Sequence, residues 1–590
     1  MSFNAPINAI QYLLRHGVDL PVLQANPNHT ELSDELISDI LNGASVFARD
    51  VLAPLNKGGD EYGATLKDGV VTVAPGFKEA YKAYCEAGWQ GLSAPEDIGG
   101  MGLPQLMSVA VNEMLYGANM AFGLCPMLTA SSMNAIIAHA SDELKNKYLA
   151  KMVSGEWSGG MNLTEPQAGS DLGVLRTKAV PNGDGSYALS GQKIFITWGE
   201  HDCAENIIHL VLARLPDAPA GSRGISLFLV PKFFVDDDGA LGKRNKLKAI
   251  GLEHKLGIHA SPTCVMEFDG ATGWLVGPEN KGLNCMFTMM NEARLFVGVQ
   301  GVAIGERAYQ AALEYAQERV QGRVLDEPAL DEPAQAPILG HPDVRRMLMD
   351  MKAGLMGARV ITLATAAAGD FAKCAQDEEV RLSAHAREAL LTPIAKSYGS
   401  DMGVSTASLG VQIHGGMGFI EETGAAQHYR DARITPIYEG TNGIQAIDLV
   451  GRKVRRDGGE AMQSLIDDLE EICADAKTMG LALEMAAQSL GVGIAALKKA
   501  TAVILSASEK DALAAASAYL DLCGDVVSGG LLTKSVVNGL KREDPQAEAM
   551  QTLLNYHALT ILPRAHGKLP LIMAGADCVF AFPVNQLADL

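Results

Sequence analysis

The sequence lacks the signatures of several common enzyme classes. It contains no G-x-S-x-G nucleophile elbow, no H-E-x-x-H zinc helix, no G-x-x-x-x-G-K phosphate loop and no G-x-G-x-x-G turn after a strand. A nicotinamide-dependent enzyme is therefore not expected. The nine cysteines are scattered singly between Cys85 and Cys578, with no C-x-x-C pair. This pattern argues against a disulfide framework or a zinc site and predicts buried thiols and no bound metal.

Positive charge is also scarce. There are 48 Lys and Arg residues against 69 Asp and Glu, for a net charge of -21, which argues against nucleic acid or an anionic membrane as the main partner. The sequence starts without a basic segment followed by an apolar core and a small-residue cleavage site, and no later run is expected to span a bilayer. We therefore expect a cytoplasmic protein without a membrane span.

The chain is long enough for several cores. With 590 residues, 48% of them hydrophobic, it should form three or four domains of about 100 to 200 residues each. Apolar residues at helical spacing, as in ELSDELISDILNGASVFARDVLAPL, predict an N-terminal helical domain over 1–157. Short β-branched or aromatic runs such as NIIHLVLARL and GISLFLVPKF predict a middle antiparallel β domain over 158–281.

Helical periodicity returns after the β domain. Long amphipathic stretches predict a helical bundle over 282–456, interrupted by an acidic, Pro-rich loop over 324–340. From 457 to 590 the chain becomes Ala-rich, which predicts a helical extension that packs on its own subunit or on a partner.

One carboxylate is placed as a candidate base. In RITPIYEGTNGIQ, Glu439 stands between an apolar-aromatic approach and a Gly-Thr-Asn-Gly turn. Ile437 and Tyr438 can exclude water from one side, and Gly440 lets backbone amides approach a ligand closely. Burial raises a glutamate pKa above its free value of about 4.3 and favours proton acceptance near neutral pH. The alternative is a surface-loop glutamate before a helix cap.

Two further segments together suggest a flavin cradle. MNLTEPQAGSD offers a turn with exposed amides and the Thr164 hydroxyl, and GQKIFITWG places Phe195 and Thr197 on one face of a strand. An aromatic wall beside a hydroxyl suits an isoalloxazine ring, which is flat, apolar on its faces and polar along one edge. The alternatives are a helix-capping turn and an ordinary amphipathic strand.

Two more segments could hold a phosphate. The glycines of VQIHGGMGFIEE allow close backbone approach, and YAQERVQGR carries Arg319 and Arg323 near a helix end. The alternatives are a helix-terminating glycine turn and a solvated basic patch. His414 fits a structural hydrogen-bonding role better than a catalytic one.

Taken in order, these four segments and the α-β-α layout resemble the acyl-CoA dehydrogenase family over roughly 31–456. The resemblance implies a multidomain α+β fold with an N-terminal helical domain, a middle antiparallel β-barrel domain and a C-terminal helical bundle, here followed by an additional helical extension. The total length, ERVQGR and IYEGTNGIQA resemble the large subgroup of the family, which includes enzymes acting on 3-methylthiopropanoyl-CoA in bacterial dimethylsulfoniopropionate breakdown.

The resemblance also implies a set of site residues. Around FAD it places Met161, Leu163, Thr164, Ser170, Phe195, Thr197, Arg319, Gln412, Gly415, Gly416 and Thr441, with Arg319, Gln412, Gly415 and Gly416 facing the FAD of a neighbouring subunit. Around the substrate it places Ser170, Arg294, Tyr438 and Gly440. Glu439 is the implied catalytic residue.

The implied reaction is α,β-dehydrogenation of an acyl-CoA thioester to a trans-2-enoyl-CoA. Glu439 would remove the α proton while the β hydrogen leaves as hydride to flavin N5, and the Glu439 backbone amide and a flavin ribityl hydroxyl would stabilise charge on the thioester oxygen. The preferred substrate is 3-methylthiopropanoyl-CoA, giving 3-methylthioacryloyl-CoA. A medium- or long-chain acyl-CoA dehydrogenase of fatty-acid oxidation and a non-catalytic flavoprotein are the alternatives. Electron-transferring flavoprotein is the implied acceptor, and a homodimer the implied assembly.

Three positions depart from the family pattern. Gly443 stands where many relatives carry a polar side chain near FAD, and Trp198 where many have Asn. Some branches of the family place the base directly before the residue matching Arg294, but here that residue is Ala293, which cannot act. Glu292 is one position further away and is expected to point elsewhere.

Overall fold

The computed structural model describes residues 3–26, 29, 31–236, 238–323 and 336–589. Most of the predicted Pro-rich loop over 324–340, namely 324–335, lies outside the described residues. In the described parts the chain follows the predicted order of helices, strands and helices.

The first part of the chain is helical, and polar caps start its helices. Ser33, Asn119 and Ser141 each accept a hydrogen bond from the third backbone N–H of the helix that follows. A short hairpin that the sequence did not predict interrupts the helices, with Asp68 and Gly69 both at positive φ in its turn. The elements are α1 (Ile7–His16), α2 (Leu20–Gln24), α3 (Asp34–Phe47), α4 (Ala53–Tyr62), β1 (Thr65–Lys67), β2 (Val70–Thr72), α5 (Phe77–Glu86), α6 (Gln105–Ala118), α7 (Met120–His139) and α8 (Asp142–Val153).

The middle part forms a seven-stranded sheet and a small separate hairpin. Its strands are β3 (Trp157–Asn162), β4 (Lys178–Pro181), β5 (Tyr187–Thr197), β6 (Asn206–Ala213), β7 (Ser226–Pro231), β8 (Phe233–Val235), β9 (Leu241–Arg244), β10 (Leu247–Leu252) and β11 (Thr263–Val276). The sheet order is β3-β6-β7-β11-β5-β4, with β10 beside β11, and β8 pairs with β9. The antiparallel prediction is wrong for one pair, because β3 runs parallel to β6. The chain between them crosses over through β4 and β5, as parallel pairing requires.

Long helices pack backbone to backbone in the bundle. They are α9 (Gly282–Glu318), α10 (Pro342–Cys374) and α11 (Glu378–His414), followed by the short α12 (Ala425–Ala432) and α13 (Asn442–Asp448). A Cβ on Gly298 of α9 would lie 2.5 Å from the carbonyl oxygen of Ala395 on α11, and one on Gly301 would lie 2.2 Å from that of Gly399. Glycine therefore brings α9 and α11 into direct contact.

The extension is helical, as predicted, and packs on its own chain. Its helices are α14 (Glu460–Thr478), α15 (Glu484–Ser506), α16 (Glu509–Lys541), α17 (Ala547–Thr560), α18 (Leu562–Ala574) and α19 (Asp577–Phe580). On α16, the Ser535 carbonyl accepts from Tyr12 OH at 3.1 Å, and Ser528 Oγ donates to Tyr398 OH on α11 at 3.2 Å. The extension also packs against α13, so it supports the helix that follows Glu439.

Within the described residues, three helices are long and apolar enough to cross a membrane by length and composition alone, so the expectation that no later run is long and apolar enough to do so is wrong. They are Met120–His139, Pro342–Cys374 and Glu484–Ser506. In the first two, 83% of the most apolar window is buried inside the protein, against 44% in the third. Packing in the protein core therefore explains the apolar character of the first two helices.

The cysteines follow the prediction only in part. All nine are free thiols, and six of them are buried. Cys85 and Cys203 are half-buried, and Cys578 is exposed. Among the described residues, no group of three or more His, Cys, Asp or Glu side chains is placed to hold a metal ion.

Candidate active site

Glu439 lies in a strained turn between α12 and α13. Its φ of 55° falls in the left-handed region, which residues other than glycine rarely adopt, and Gly440 follows at 81°. The Gln445 side chain, buried in α13, donates through Nε2 to the carbonyl oxygens of Glu439 and Gly440 at 3.3 and 3.2 Å. Thr441 caps α13 by accepting from the Ile444 N–H at 3.2 Å. Strain held by surrounding contacts in this way is typical of functional turns.

The electrostatics of the turn suit a base. Burial raises the pKa of Glu439 from 4.5 to about 7, although the positive charges of Arg294 and Lys396 act to lower it. Desolvation therefore outweighs attraction to two cations. A carboxyl group with this pKa exists in both protonation states near neutral pH.

Tyr438 takes the inward position beside Glu439. Its hydroxyl donates to Gln300 Oε1, and Gln300 Nε2 contacts the sulfur of Met127 at 3.1 Å. The neighbouring Ile437, predicted to exclude water together with Tyr438, is instead 49% exposed. The prediction for Ile437 is wrong because Tyr438 occupies the inward side of the turn.

Arg294 reaches the same turn from α9. A Cβ built on Gly440 would lie 3.7 Å from Arg294 Nη2. Arg294 Nη1 lies 3.8 Å from Asp448 Oδ2 in an ion pair, and 3.3 Å from Asn291 Oδ1. In the described part of the chain Nε has no hydrogen-bond partner although it is buried. Arg294 therefore places a positive charge near the candidate base, which acts to lower the pKa of Glu439.

Glu292, two residues earlier, serves another contact. Its carboxylate accepts from Asn134 Nδ2 on α7 at 2.7 Å, and burial raises its pKa. Ala293 is buried. Neither residue shares the turn of Glu439.

The two predicted flavin segments meet in space. The Thr164 carbonyl oxygen accepts from the Ile194 N–H of β5 at 2.9 Å. Lys193 Nζ donates to the Leu163 carbonyl at 3.0 Å and to Glu165 Oε1 at 2.8 Å. Burial opposes ionisation of Glu165, but the Lys193 charge and the hydrogen bonds from Lys193, Thr177 and the Arg176 N–H together outweigh it and hold the Glu165 pKa at about 2. This buried ion pair, absent from the sequence predictions, fixes Met161–Glu165 against the strand that carries Phe195 and Thr197.

Phe195 is presented outward by backbone strain. A register irregularity between β5 and β11 near Phe195 accompanies its φ of 59°. The ring is 59% exposed, and Thr197 is half-buried on the same face of the strand. Met161 and Thr164 are also half-buried, Leu163 is buried and Ser170 is exposed. An exposed aromatic face edged by threonine hydroxyls suits an isoalloxazine ring.

Trp198 is a structural anchor. Its φ is 51°, its indole is buried, and Nε1 donates to the Ala121 carbonyl of α7 at 3.1 Å. The residue that departs from the family pattern therefore joins the sheet to the N-terminal helices.

The remaining predicted cofactor residues lie at the far end of the bundle. Arg319 ends α9 and Gln412 lies near the end of α11, both exposed. Stacking of Tyr315 on His414, with ring centroids 4.5 Å apart, brings the two helix ends together. A Cβ on Gly415 or Gly416 would meet nothing within 4 Å, so this backbone is open to a ligand. Arg294 and Arg319 are about 37 Å apart along α9, too far to serve one flavin ring.

These residues fit FAD at two places on the chain. The Phe195 wall with its hydroxyls fits the ring, and the open glycines beside Arg319 and Gln412 fit phosphate or adenosine. Together with the carboxyl group of raised pKa at the Glu439 turn, these residues fit the class of flavin-dependent oxidoreductases.

Comparison with known proteins gives the family. Family models match residues 42–156, 160–271 and 280–454 as the N-terminal, middle and C-terminal domains of acyl-CoA dehydrogenase, and residues 465–583 as an acetyl-CoA dehydrogenase C-terminal-like domain. The 3-methylmercaptopropionyl-CoA dehydrogenase of Ruegeria pomeroyi is 47% identical over 91% of each chain. A butyryl-CoA dehydrogenase of Syntrophomonas wolfei is 39% identical over 74% of this chain and 73% of its own.

Solved structures share the fold. Butyryl-CoA dehydrogenase from Megasphaera elsdenii covers 71% of this chain and 98% of its own, with a TM-score of 0.58 and 28% identity. A chain solved under the description "Electron transferring flavoprotein of Acidaminococcus fermentans" covers 71% and 97%, with a TM-score of 0.57 and 28% identity. An acyl-CoA dehydrogenase complexed with FAD from Bacillus anthracis covers 96% of each chain, with a TM-score of 0.71 and 22% identity.

The chain belongs to the acyl-CoA dehydrogenase family. It is an FAD-dependent oxidoreductase that acts on acyl-CoA thioesters. The predicted fold class, with its helical extension, is confirmed.

Sequence reasoning missed several residues that shape the site. Gln445 holds the Glu439 turn, Gln300 receives Tyr438, and Lys396 and Asn442 meet behind the turn. The signal for Lys396 was available, since it is the only charged residue in LLTPIAKSYG, a largely apolar stretch of a helix. A lysine in such a helix is buried and must find a partner.

Proposed function

We propose that Glu439 removes the α proton of the acyl-CoA substrate. The observation that carries this proposal is a carboxyl group with a pKa of about 7, held in a strained turn beside two cations. Near neutral pH such a group can accept the proton and later release it to solvent. Tyr438 limits water on the inner side of the turn through its bond to Gln300.

The Glu439 backbone N–H can stabilise the charge that develops on the thioester oxygen. Within the described residues this N–H has no hydrogen-bond acceptor. Donors fixed before the reaction lower the barrier without reorganisation, which is the basis of oxyanion stabilisation.

The chain's own residues would hold FAD in two sets. Met161, Leu163, Thr164, Phe195, Thr197 and Thr441 would position the ring, with Ser170 near the phosphates and the substrate. Arg319, Gln412, Gly415 and Gly416 would face the FAD of a second copy, which accounts for their distance from Arg294. When bound, FAD accepts the hydride that leaves the β-carbon.

The substrate we favour is 3-methylthiopropanoyl-CoA, with 3-methylthioacryloyl-CoA as the product. Support comes from the Ruegeria pomeroyi relative, which matches this chain at 47% identity across the extension as well as the three family domains. The relatives named for butyryl-CoA match only 74 to 75% of this chain. A straight-chain acyl-CoA is the second candidate.

We also propose the partners and the setting. Membership of the acyl-CoA dehydrogenase family supports electron-transferring flavoprotein as the electron acceptor, and so does the similarity to the solved chain from Acidaminococcus fermentans. Exposed Met417, Phe419 and Ile420 beside the open glycines support a homodimer through this end of the bundle. The negative net charge and the nine free cysteines support a location in the cytoplasm.

The test is anaerobic reduction of the bound flavin. Purified holoenzyme is mixed with 3-methylthiopropanoyl-CoA, with octanoyl-CoA or with butyryl-CoA, and the visible flavin absorbance is followed. Fastest bleaching by the methylthio thioester supports the proposal, whereas faster bleaching by a straight-chain thioester selects the second candidate. Absence of bleaching by all three contradicts both. If the enzyme instead forms stoichiometric hydrogen peroxide in air, the electron acceptor is oxygen and not electron-transferring flavoprotein.

A further inference from the structure

Lys396 is a buried lysine to which the mechanism above assigns no step. It lies midway along α11 and its side chain is fully buried. The close contact of Gly298 with Ala395 fixes this part of α11 against α9, because a Cβ on Gly298 would also lie 3.3 Å from the Lys396 backbone nitrogen. A buried ammonium group is costly unless other groups compensate its charge.

The hydrogen bond of Lys396 leads to the turn that carries Glu439. Lys396 Nζ donates to Asn442 Oδ1 at 2.8 Å. Asn442 is the first residue of α13 and follows Glu439 by three positions. Its Nδ2 donates to Ser400 Oγ at 3.0 Å and to Asp401 Oδ1 at 2.9 Å. Both ends of the Asn442 amide therefore tie the turn to α11.

The backbone of Asn442 closes the same turn. Its N–H donates to the Pro436 carbonyl at 3.0 Å, so residues 436–442 form one hydrogen-bonded loop around Glu439. A shift of Asn442 would move Glu439 with it. Lys396 thus acts on Glu439 through one neutral amide.

The charges that face Lys396 are few. They are Glu439, Asp401 and Arg294, and Asp521 on α16 stands behind Asp401. Burial lowers the pKa of Lys396 to about 7 despite the two carboxyl groups. In the described structure its only hydrogen bond is to the amide of Asn442, so no single carboxylate neutralises it by direct contact. Arg294, by contrast, has Asp448 as its ion-pair partner.

We propose that Lys396 is a positioning residue that holds the Glu439 turn through Asn442 and supplies the positive charge that favours the carboxylate form of Glu439. This inference rests on the proposed role of Glu439 as the base. Removing the charge should leave FAD bound but make Glu439 harder to ionise. Since the reaction needs ionised Glu439, the rise of activity with pH should then move to higher pH.

The experiment compares three variants of the holoenzyme, Lys396→Met, Lys396→Gln and Lys396→Arg. For each, kcat/KM is measured against pH with the acyl-CoA that bleaches the wild type fastest. Met and Gln both remove the charge, and Gln keeps a donor for Asn442, so it serves if Met does not fold. We expect both to shift the acidic limb upward by about one pH unit, which is a tenfold loss at low pH. The loss of kcat/KM should become smaller as pH rises. The Lys396→Arg variant should have an acidic limb at the same pH as the wild type.

Lys352→Met is the matched control. Lys352 on α10 lies 3.4 Å from Glu306 on α9, and this ion pair does not include a residue of the Glu439 turn. Its loss should lower stability without moving the acidic limb. An unshifted limb in Lys396→Gln, whether activity is normal or uniformly reduced, would overturn the proposal. Glu439→Gln is measured alongside, because near-normal activity in that variant refutes the proposed base itself and so separates the two failures.

Discussion

The pKa of Glu439 predicts how kcat/KM depends on pH. Burial places it at about 7, and only the ionised form can accept the α proton. About one tenth of the free enzyme should be ionised at pH 6, half at pH 7 and about nine tenths at pH 8, by the definition of pKa. The structure therefore predicts a roughly tenfold rise in kcat/KM between pH 6 and pH 8.

The assay follows initial rates at low acyl-CoA concentration, because kcat/KM reports ionisation in the free enzyme. Flavin absorbance is recorded at each pH to show that the holoenzyme stays intact. A profile that is flat from pH 6 to 8, or a limb centred near the ordinary glutamate pKa of 4.5, would refute the reasoning, because it would mean that burial does not control Glu439.

The remaining predictions concern the turn, the cradle and the cost of burying the base. Gly440→Ala should lower both melting temperature and activity, because Ala is strained at a φ of 81° and its Cβ would lie 2.9 Å from Gln445 Nε2; Gly567→Ala, at an open position of α18, is its control in thermal melts. Lys193→Met should cost about 3 to 5 kcal/mol and release flavin, because it leaves the Glu165 charge buried and unpaired. Adding Glu165→Gln should recover part of that loss, and a double variant as unstable as the single one would contradict the ion-pair account. Glu439→Gln should raise the melting temperature at pH 8.5 but not at pH 4, because a carboxyl pKa raised on folding stabilises the protein below the unfolded pKa and loses that stability as pH rises through about 7.

Much of this fold could be predicted from local sequence. Helical periodicity and alternating apolar runs indicated the order of helical and β parts, and the IYEGT segment isolated Glu439 without any knowledge of tertiary structure. These features depend on residues close together in the chain. The β1–β2 hairpin was missed because its three-residue strands are too short to show alternation.

What failed depended on contacts between distant residues. The parallel pairing of β3 with β6 follows from a crossover of the chain that no local pattern records. Ile437 and Tyr438 are both bulky residues with a large apolar surface, and the hydrogen bond of Tyr438 to the distant Gln300 accompanies the inward position of Tyr438. Lys396 and Asn442 are 46 positions apart, so their contact needed the fold. The apolar helices that qualify by length as membrane spans likewise needed the observed burial of their windows for interpretation.

The role of Glu439 as the base can be tested by a stopped-flow measurement of flavin reduction by saturating acyl-CoA, in anaerobic solution, for the wild type and Glu439→Gln. We expect the variant to keep FAD and bind the thioester, but to reduce its flavin at least about 100-fold more slowly, as follows when a general base is lost. Reduction within tenfold of the wild-type rate would show that Glu439 is not the base.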